Sequence, residues 1–143
     1  MAKLLCIETS TTNCSVAIAE DGRLLAIAED DRKSYSHAEQ LHIFIQKVFQ
    51  QAGLSSSDLH AVAVSKGPGS YTGLRIGVST AKGLCYALGI PLVRVPTLEV
   101  LARQVVQTQT NFPVVAMIDA RRMEVYSSAF DSKHQTIQEV SAK

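Results

Sequence analysis

Val62-Ala63-Val64-Ser65-Lys66-Gly67-Pro68-Gly69-Ser70-Tyr71-Thr72-Gly73-Leu74-Arg75 decides how this chain folds. The alternation of Val62 and Val64 predicts a short strand. Gly67 and Gly69 admit backbone angles that a side chain forbids, and Pro68 stiffens the turn between them. Ser70 or Thr72 can cap the helix that follows. The stretch therefore reads as strand, tight turn and helix start, with free backbone N–H groups at the positive end of a helix. Such an end suits an anion or a close-packed partner. The competing reading is a turn that only joins strand to helix. The common nucleotide fingerprints are absent. No Lys follows Gly73, as a Walker A loop requires, and Gly67, Gly69 and Gly73 are spaced one residue too widely for Gly-x-Gly-x-x-Gly.

Working outward, Lys3–Thr9 predicts an apolar strand ending in Glu8-Thr9-Ser10, and Cys14–Ala19 a second strand after a polar turn. Asp21-Gly22 is a hairpin signal, and Leu24–Glu29 is the third strand. Ser36-His37-Ala38-Glu39 matches a capping box. The helix it opens runs to Ala52, with Leu41, Phe44, Ile45 and Val48 on one face, and Gly53 closes it. Ala61–Ser65 is the fourth strand, and the helix after the glycine turn spans Thr72–Leu88. Gly73, Gly77 and Ala81 recur every fourth residue along it, a strip that lets another element approach closely. Leu92–Val95 is a fifth strand, and Pro96-Thr97-Leu98-Glu99 starts a third helix. Gln107–Asn111 is a polar break, after which Pro113–Asp119 and Glu124–Phe130 read as a hairpin. The order β-β-β-α-β-α-β-α predicts an α/β fold with a mixed sheet and helices on its faces. Residues 1–108 are expected to form one unit and 109–143 the start of a second. Two or three strands cannot cover their own apolar face, so the chain is expected to be a fragment of a longer protein.

The 143 residues carry a formal net charge of +1. That argues against a broad electrostatic grip on nucleic acid or membrane. No apolar run is long enough to span a bilayer. Cys6, Cys14 and Cys85 contain no Cys-x-x-Cys pair, so reduced thiols in a cytoplasmic protein are expected.

Leu5-Cys6-Ile7-Glu8-Thr9-Ser10 with Cys14-Ser15-Val16-Ala17, the Ser65–Gly77 run, and Ile118-Asp119-Ala120-Arg121-Arg122-Met123-Glu124-Val125-Tyr126 together resemble the TsaB (YeaZ) family. The resemblance covers most of the chain in the right order. It implies the actin-like ATPase superfamily, shared with Hsp70 and the sugar kinases, whose fold holds two subdomains of the ribonuclease-H type. It further implies a scaffold and dimerisation subunit that works with the paralogue TsaD and with TsaE. That assembly makes threonylcarbamoyladenosine next to the anticodon of tRNA, and tRNA would be met only through the complex. TsaD carries a metal-binding histidine pair after the helix of the glycine loop; here Lys82–Leu92 contains no His. The resemblance thus implies a non-catalytic member that requires no cofactor, with weak ATP or ADP binding at a partner interface. A TsaD-like metalloenzyme or an M22-type glycoprotease is the alternative, and a free-standing nucleotide module a third reading.

Several residues bear on these readings. Glu8, Thr9 and Ser10 stand where the superfamily holds an acid that organises metal and phosphate; a polar strand end is the simpler reading. With Gly67, Gly69, Ser70, Thr72 and Gly73 they would line a vestigial phosphate cleft. Leu41, Ile45, Leu74, Gly77, Val78 and Ala81 are the expected partner interface, on a helix pair that would dock against the equivalent pair of TsaD or of a second copy. Asp119 and Arg121 would serve the cleft or a partner. His37 and His42 lie five apart rather than the four that a helical metal pair wants. They read as solvated or capping residues, and no metal site is expected. No His-Glu-x-x-His and no Ser or Cys with an evident base supports a peptidase.

Overall fold

A computed structural model describes residues 1–30, 37–106 and 111–143. The elements are β1 (Lys3–Glu8), β2 (Cys14–Glu20), β3 (Arg23–Asp30), α1 (His37–Ala52), β4 (Ala61–Ser65), α2 (Tyr71–Leu88), β5 (Leu92–Val95), α3 (Thr97–Val106), β6 (Val114–Arg121), β7 (Glu124–Phe130) and β8 (Thr136–Ala142). The expected capping box begins at Ser36, which lies outside the described residues.

The first compact unit comprises Met1–Lys66 and Ser70–Arg94. Its sheet has the strand order β3-β2-β1-β4-β5. β1 pairs antiparallel with β2 and parallel with β4, and β2 pairs antiparallel with β3. This is the mixed sheet expected from the element order. Register explains its core. Leu5 faces both Ile18 and Val62, Ile7 faces both Val16 and Val64, and Ala26 and Ala28 continue the row on β3. Because side chains alternate across a strand, these residues share one face. Leu41, Phe44, Ile45 and Val48 of α1 cover it, with Ala81 of α2. Cys14 is buried on this face, whereas Cys6 alternates away from it, so the two thiols remain free.

The second compact unit comprises Gly67–Gly69 and Val95–Lys143. The boundary therefore lies earlier than the expected 108/109 break. The reason is apolar: Leu98 and Ala102 of α3 bury against Ala116 and Phe130 of the β6-β7-β8 sheet. Strand β8 was not expected from the sequence. Its residues are mostly exposed, so Thr136–Ala142 shows no clean alternation. It is tied in by pairing with β7 and by the Ser128 hydroxyl, which donates to the Gln138 carbonyl at 2.7 Å. Among the described residues no helix is long and apolar enough to cross a membrane.

Candidate functional site at the end of β1

In the first unit the strand end Glu8–Thr11 meets the N-terminal half of α2. Ser70 caps that helix, its hydroxyl accepting from Gly73 N–H at 3.2 Å, so the sequence alternative of Thr72 is settled in favour of Ser70. Ser70 N–H in turn donates to the Ser10 carbonyl at 2.7 Å. Two backbone donors expected to point freely at an anion, those of Ser70 and Gly73, are therefore already used inside the protein. The left-handed demand of the turn falls on Gly67, with φ of 106°, and Gly69 is not among the positive-φ residues. That corrects the expectation that both glycines need special angles.

The glycine strip has a direct structural purpose. Thr9 is only 1% exposed, and its hydroxyl donates to the Gly73 carbonyl at 2.7 Å. A Cβ on Gly73 would stand 2.2 Å from the Thr9 carbonyl oxygen, and one on Gly77 would stand 2.3 Å from Thr9 Oγ1. Hydrogen at these positions is what lets the helix lie on the strand end.

Glu8 is held just as closely. One carboxylate oxygen accepts from both the backbone N–H and the hydroxyl of Ser10, and the other accepts from the Ser65 hydroxyl. The parallel register that sets Ile7 beside Val64 brings Ser65 to Glu8. Sequence reasoning missed Ser65 because only the β1–β4 pairing juxtaposes residues so far apart in the chain. It left His37 as solvated or capping, and burial removes the solvated reading. That side chain is 2% exposed, not solvated, and Nε2 lies 2.7 Å from the Thr11 carbonyl. His42 is exposed, as expected. Ser10 is buried too, so Glu8, Ser10 and Ser65 form one hydrogen-bonded cluster, while Thr9 is tied to Gly73 and Thr11 to His37. Among the described residues no three His, Cys, Asp or Glu side chains converge.

Four of the expected interface residues point inward. Leu41, Ile45, Gly77 and Ala81 are buried within the unit, and Leu74 and Val78 are half-buried. What α1 and α2 offer to solvent is a depression of about 450 Å³ lined by Ala38, Thr72, Arg75, Ile76, Ser79 and Thr80. The Arg75 guanidinium stands 5.3 Å from the ring centre of exposed Tyr71. In the second unit, Asp119 and Arg121 sit on the exposed β6–β7 hairpin, where Asp119 Oδ1 accepts from Arg121 N–H at 2.7 Å.

The family model described as TsaD, tRNA N6-adenosine threonylcarbamoyltransferase, matches residues 31–143. Among curated proteins, the tRNA threonylcarbamoyladenosine biosynthesis protein TsaB of Escherichia coli (strain K12) is 36% identical over 87% of this chain. The solved structure of YeaZ from Pseudomonas aeruginosa superposes with a TM-score of 0.89 at 32% identity, covering 99% of this chain and 66% of that one. The chain belongs to the TsaB (YeaZ) family. It spans 53% of the length of the Escherichia coli TsaB protein, about half. The ethanolamine utilization protein EutJ of Carboxydothermus hydrogenoformans, at TM-score 0.59 and 13% identity, shares the fold alone. The actin-like ATPase fold expected from the resemblance to TsaB is thus the fold observed.

Proposed function

We propose that this chain is a non-catalytic subunit of the assembly that forms threonylcarbamoyladenosine in tRNA, and that it acts by presenting the outer faces of α1 and α2 to a TsaD-type transferase. The observation that carries this reading is the state of the strand end. In a phosphate-handling member of this fold, an acid there must face metal or phosphate. Here both Glu8 oxygens accept from Ser10 and Ser65, and Ser70 and Gly73 spend their N–H groups internally. The resemblance puts TsaD's metal-binding histidines after the helix of the glycine loop, and the stretch that follows α2, Gly89–Val106, contains no histidine. The name of the Escherichia coli relative supports the pathway. The match to a transferase family keeps a TsaD-like enzyme as the second reading.

With Leu41, Ile45, Gly77 and Ala81 committed to the interior, the docking surface reduces to half-buried Leu74 and Val78 and the depression around Arg75 and Ser79. A paralogue of the same fold presents an equivalent helix pair, and a second copy can use the same patch about a two-fold axis. TsaE would join through the transferase, tRNA would be met within the complex, and ATP or ADP would bind only weakly at a partner contact. Three free cysteines accord with a reducing cytoplasm.

Co-purification of the chain with the TsaD-type transferase of the same organism tests the reading. Val78→Glu places an unpaired charge in the contact, where desolvation is costly. It is expected to weaken both self-association and transferase binding while leaving the circular dichroism spectrum intact. Unchanged binding refutes the surface, and threonylcarbamoyl transfer to tRNA by the chain alone refutes the non-catalytic assignment.

A further inference from the structure

We infer that the tip of the β6–β7 hairpin, Arg121-Arg122-Met123, is a contact for RNA phosphates. The inference rests on the reading of this chain as a partner in tRNA modification. Arg121, Arg122 and Met123 have φ of 67°, 54° and 65°, three successive non-glycine residues in the left-handed region. L-residues are strained there, and a two-residue hairpin of this type ordinarily takes Asn-Gly or Asp-Gly. The same chain uses that solution at its β2–β3 hairpin, where Asp21 and Gly22 have φ of 48° and 80°. At β6–β7 two arginines and a methionine are carried through the same kind of turn despite the strain. Turn formation alone does not account for those side chains.

Their surroundings leave them available. Arg121, Arg122 and Met123 are all exposed, Met123 completely. Among the described residues neither guanidinium has an ion pair or side-chain hydrogen bond. Asp119 caps the Arg121 N–H, which helps hold the tip in shape, and Glu124 pairs with neither arginine. Lys143 exchanges both backbone hydrogen bonds with Val125, which ties β8 to the base of the hairpin. Guanidinium forks match phosphate oxygens in pairs, and adjacent arginines on a short fixed turn can span neighbouring phosphates. The bare thioether of Met123 can lie against a ribose or base edge beside them. An acidic protein surface is the competing partner. RNA is favoured because two planar forks suit a polyphosphate strand and the relatives are named for tRNA.

The test is a fluorescence-anisotropy titration of unmodified tRNA between 50 and 200 mM salt, on the free chain and on its complex with the transferase. Arg121→Gln with Arg122→Gln should lower affinity about five- to eightfold per arginine at 0.1 M salt and flatten the log–log salt slope by about 1.4–1.8. Arg122→Asn with Met123→Gly should lower affinity while raising Tm by about 2–4 °C, because it relieves the turn. Lys133→Gln, in the β7–β8 turn at the opposite end of the sheet, should change neither. The inference is overturned if the parent binds no tRNA in either form, if the arginine variant keeps the parent affinity and slope, or if Lys133→Gln loses as much. It is equally overturned if the arginine variant loses the transferase but not tRNA, since the tip then contacts protein. Failure of the parent to bind the transferase counts only against the proposed function, and the free-chain titration then decides the hairpin.

Discussion

Alanine substitution along α2 separates glycines that exist for close approach from those that do not. Gly83 is exposed with nothing within 4 Å of an added Cβ. Gly83→Ala should therefore gain the full helix-propensity difference, about 1 kcal/mol. Gly73→Ala gains the same amount but drives its Cβ to 2.2 Å from the Thr9 carbonyl oxygen. That atom belongs to a strand end fixed by Ser10–Ser70 and Glu8–Ser65 bonds, so the helix must shift. Overpacking of this kind costs about 1–3 kcal/mol, and the Thr9–Gly73 hydrogen bond, worth about 1 kcal/mol, weakens with it. The expected net loss is about 1–3 kcal/mol. Gly77→Ala meets only the Thr9 hydroxyl, at 2.3 Å, with Thr9 Cβ at an ordinary 3.4 Å. Its cost should vanish in a Thr9→Ala background, where the propensity gain of about 1 kcal/mol reappears. Thr9→Ala should not rescue Gly73→Ala, because the carbonyl remains. Thermal unfolding followed by circular dichroism reads these differences, at about 2–4 °C per kcal/mol for a chain of this size. A Gly73→Ala protein as stable as Gly83→Ala would refute the packing argument, as would an equal rescue of both glycines by Thr9→Ala.

Other outcomes follow from the same cluster and from the buried thiol. Glu8→Ala strands the Ser10 and Ser65 donors and should cost about 2–3 kcal/mol in urea unfolding, with Glu8→Gln losing less because one acceptor survives. Ser70→Ala removes the α2 cap and should cost about 1 kcal/mol by the same measurement, since Gly73 N–H loses its acceptor. Burial and then the Asp30 charge push the Cys14 thiol up to about 11 from 9.0. Cys14 should thus resist iodoacetamide at pH 8 until the chain unfolds, which mass spectrometry of the labelled peptides will show. The folded state favours the protonated thiol, so its contribution to stability is complete below pH 9 and is lost as pH rises towards about 11. Urea midpoints measured across that window should fall, and the fall should be smaller in Cys14→Ala.

The sequence by itself determined the order of elements and the fold class. Period-two apolar runs, Asp21-Gly22, the glycine turn and the Gly73/Gly77/Ala81 repeat are local signals, and each acts within a few residues of where it is written. The family was legible for the same reason, since its motifs are contiguous. Tertiary structure decided what those motifs are for. The parallel register of β1 on β4 joined Ser65 to Glu8, and the seating of α2 on Thr9 turned a strip of small residues from a candidate interface into interior packing. Burial of His37 against Thr11 likewise depends on where α1 begins relative to a loop 26 residues away. Strand β8 and the attachment of α3 to the second unit were hidden because exposed strands lack alternation and a helix face does not name its partner. Local propensity is set by neighbours in the chain. The closing of a polar cluster and the choice of which apolar face is buried are set by residues that meet only when the sheet has formed.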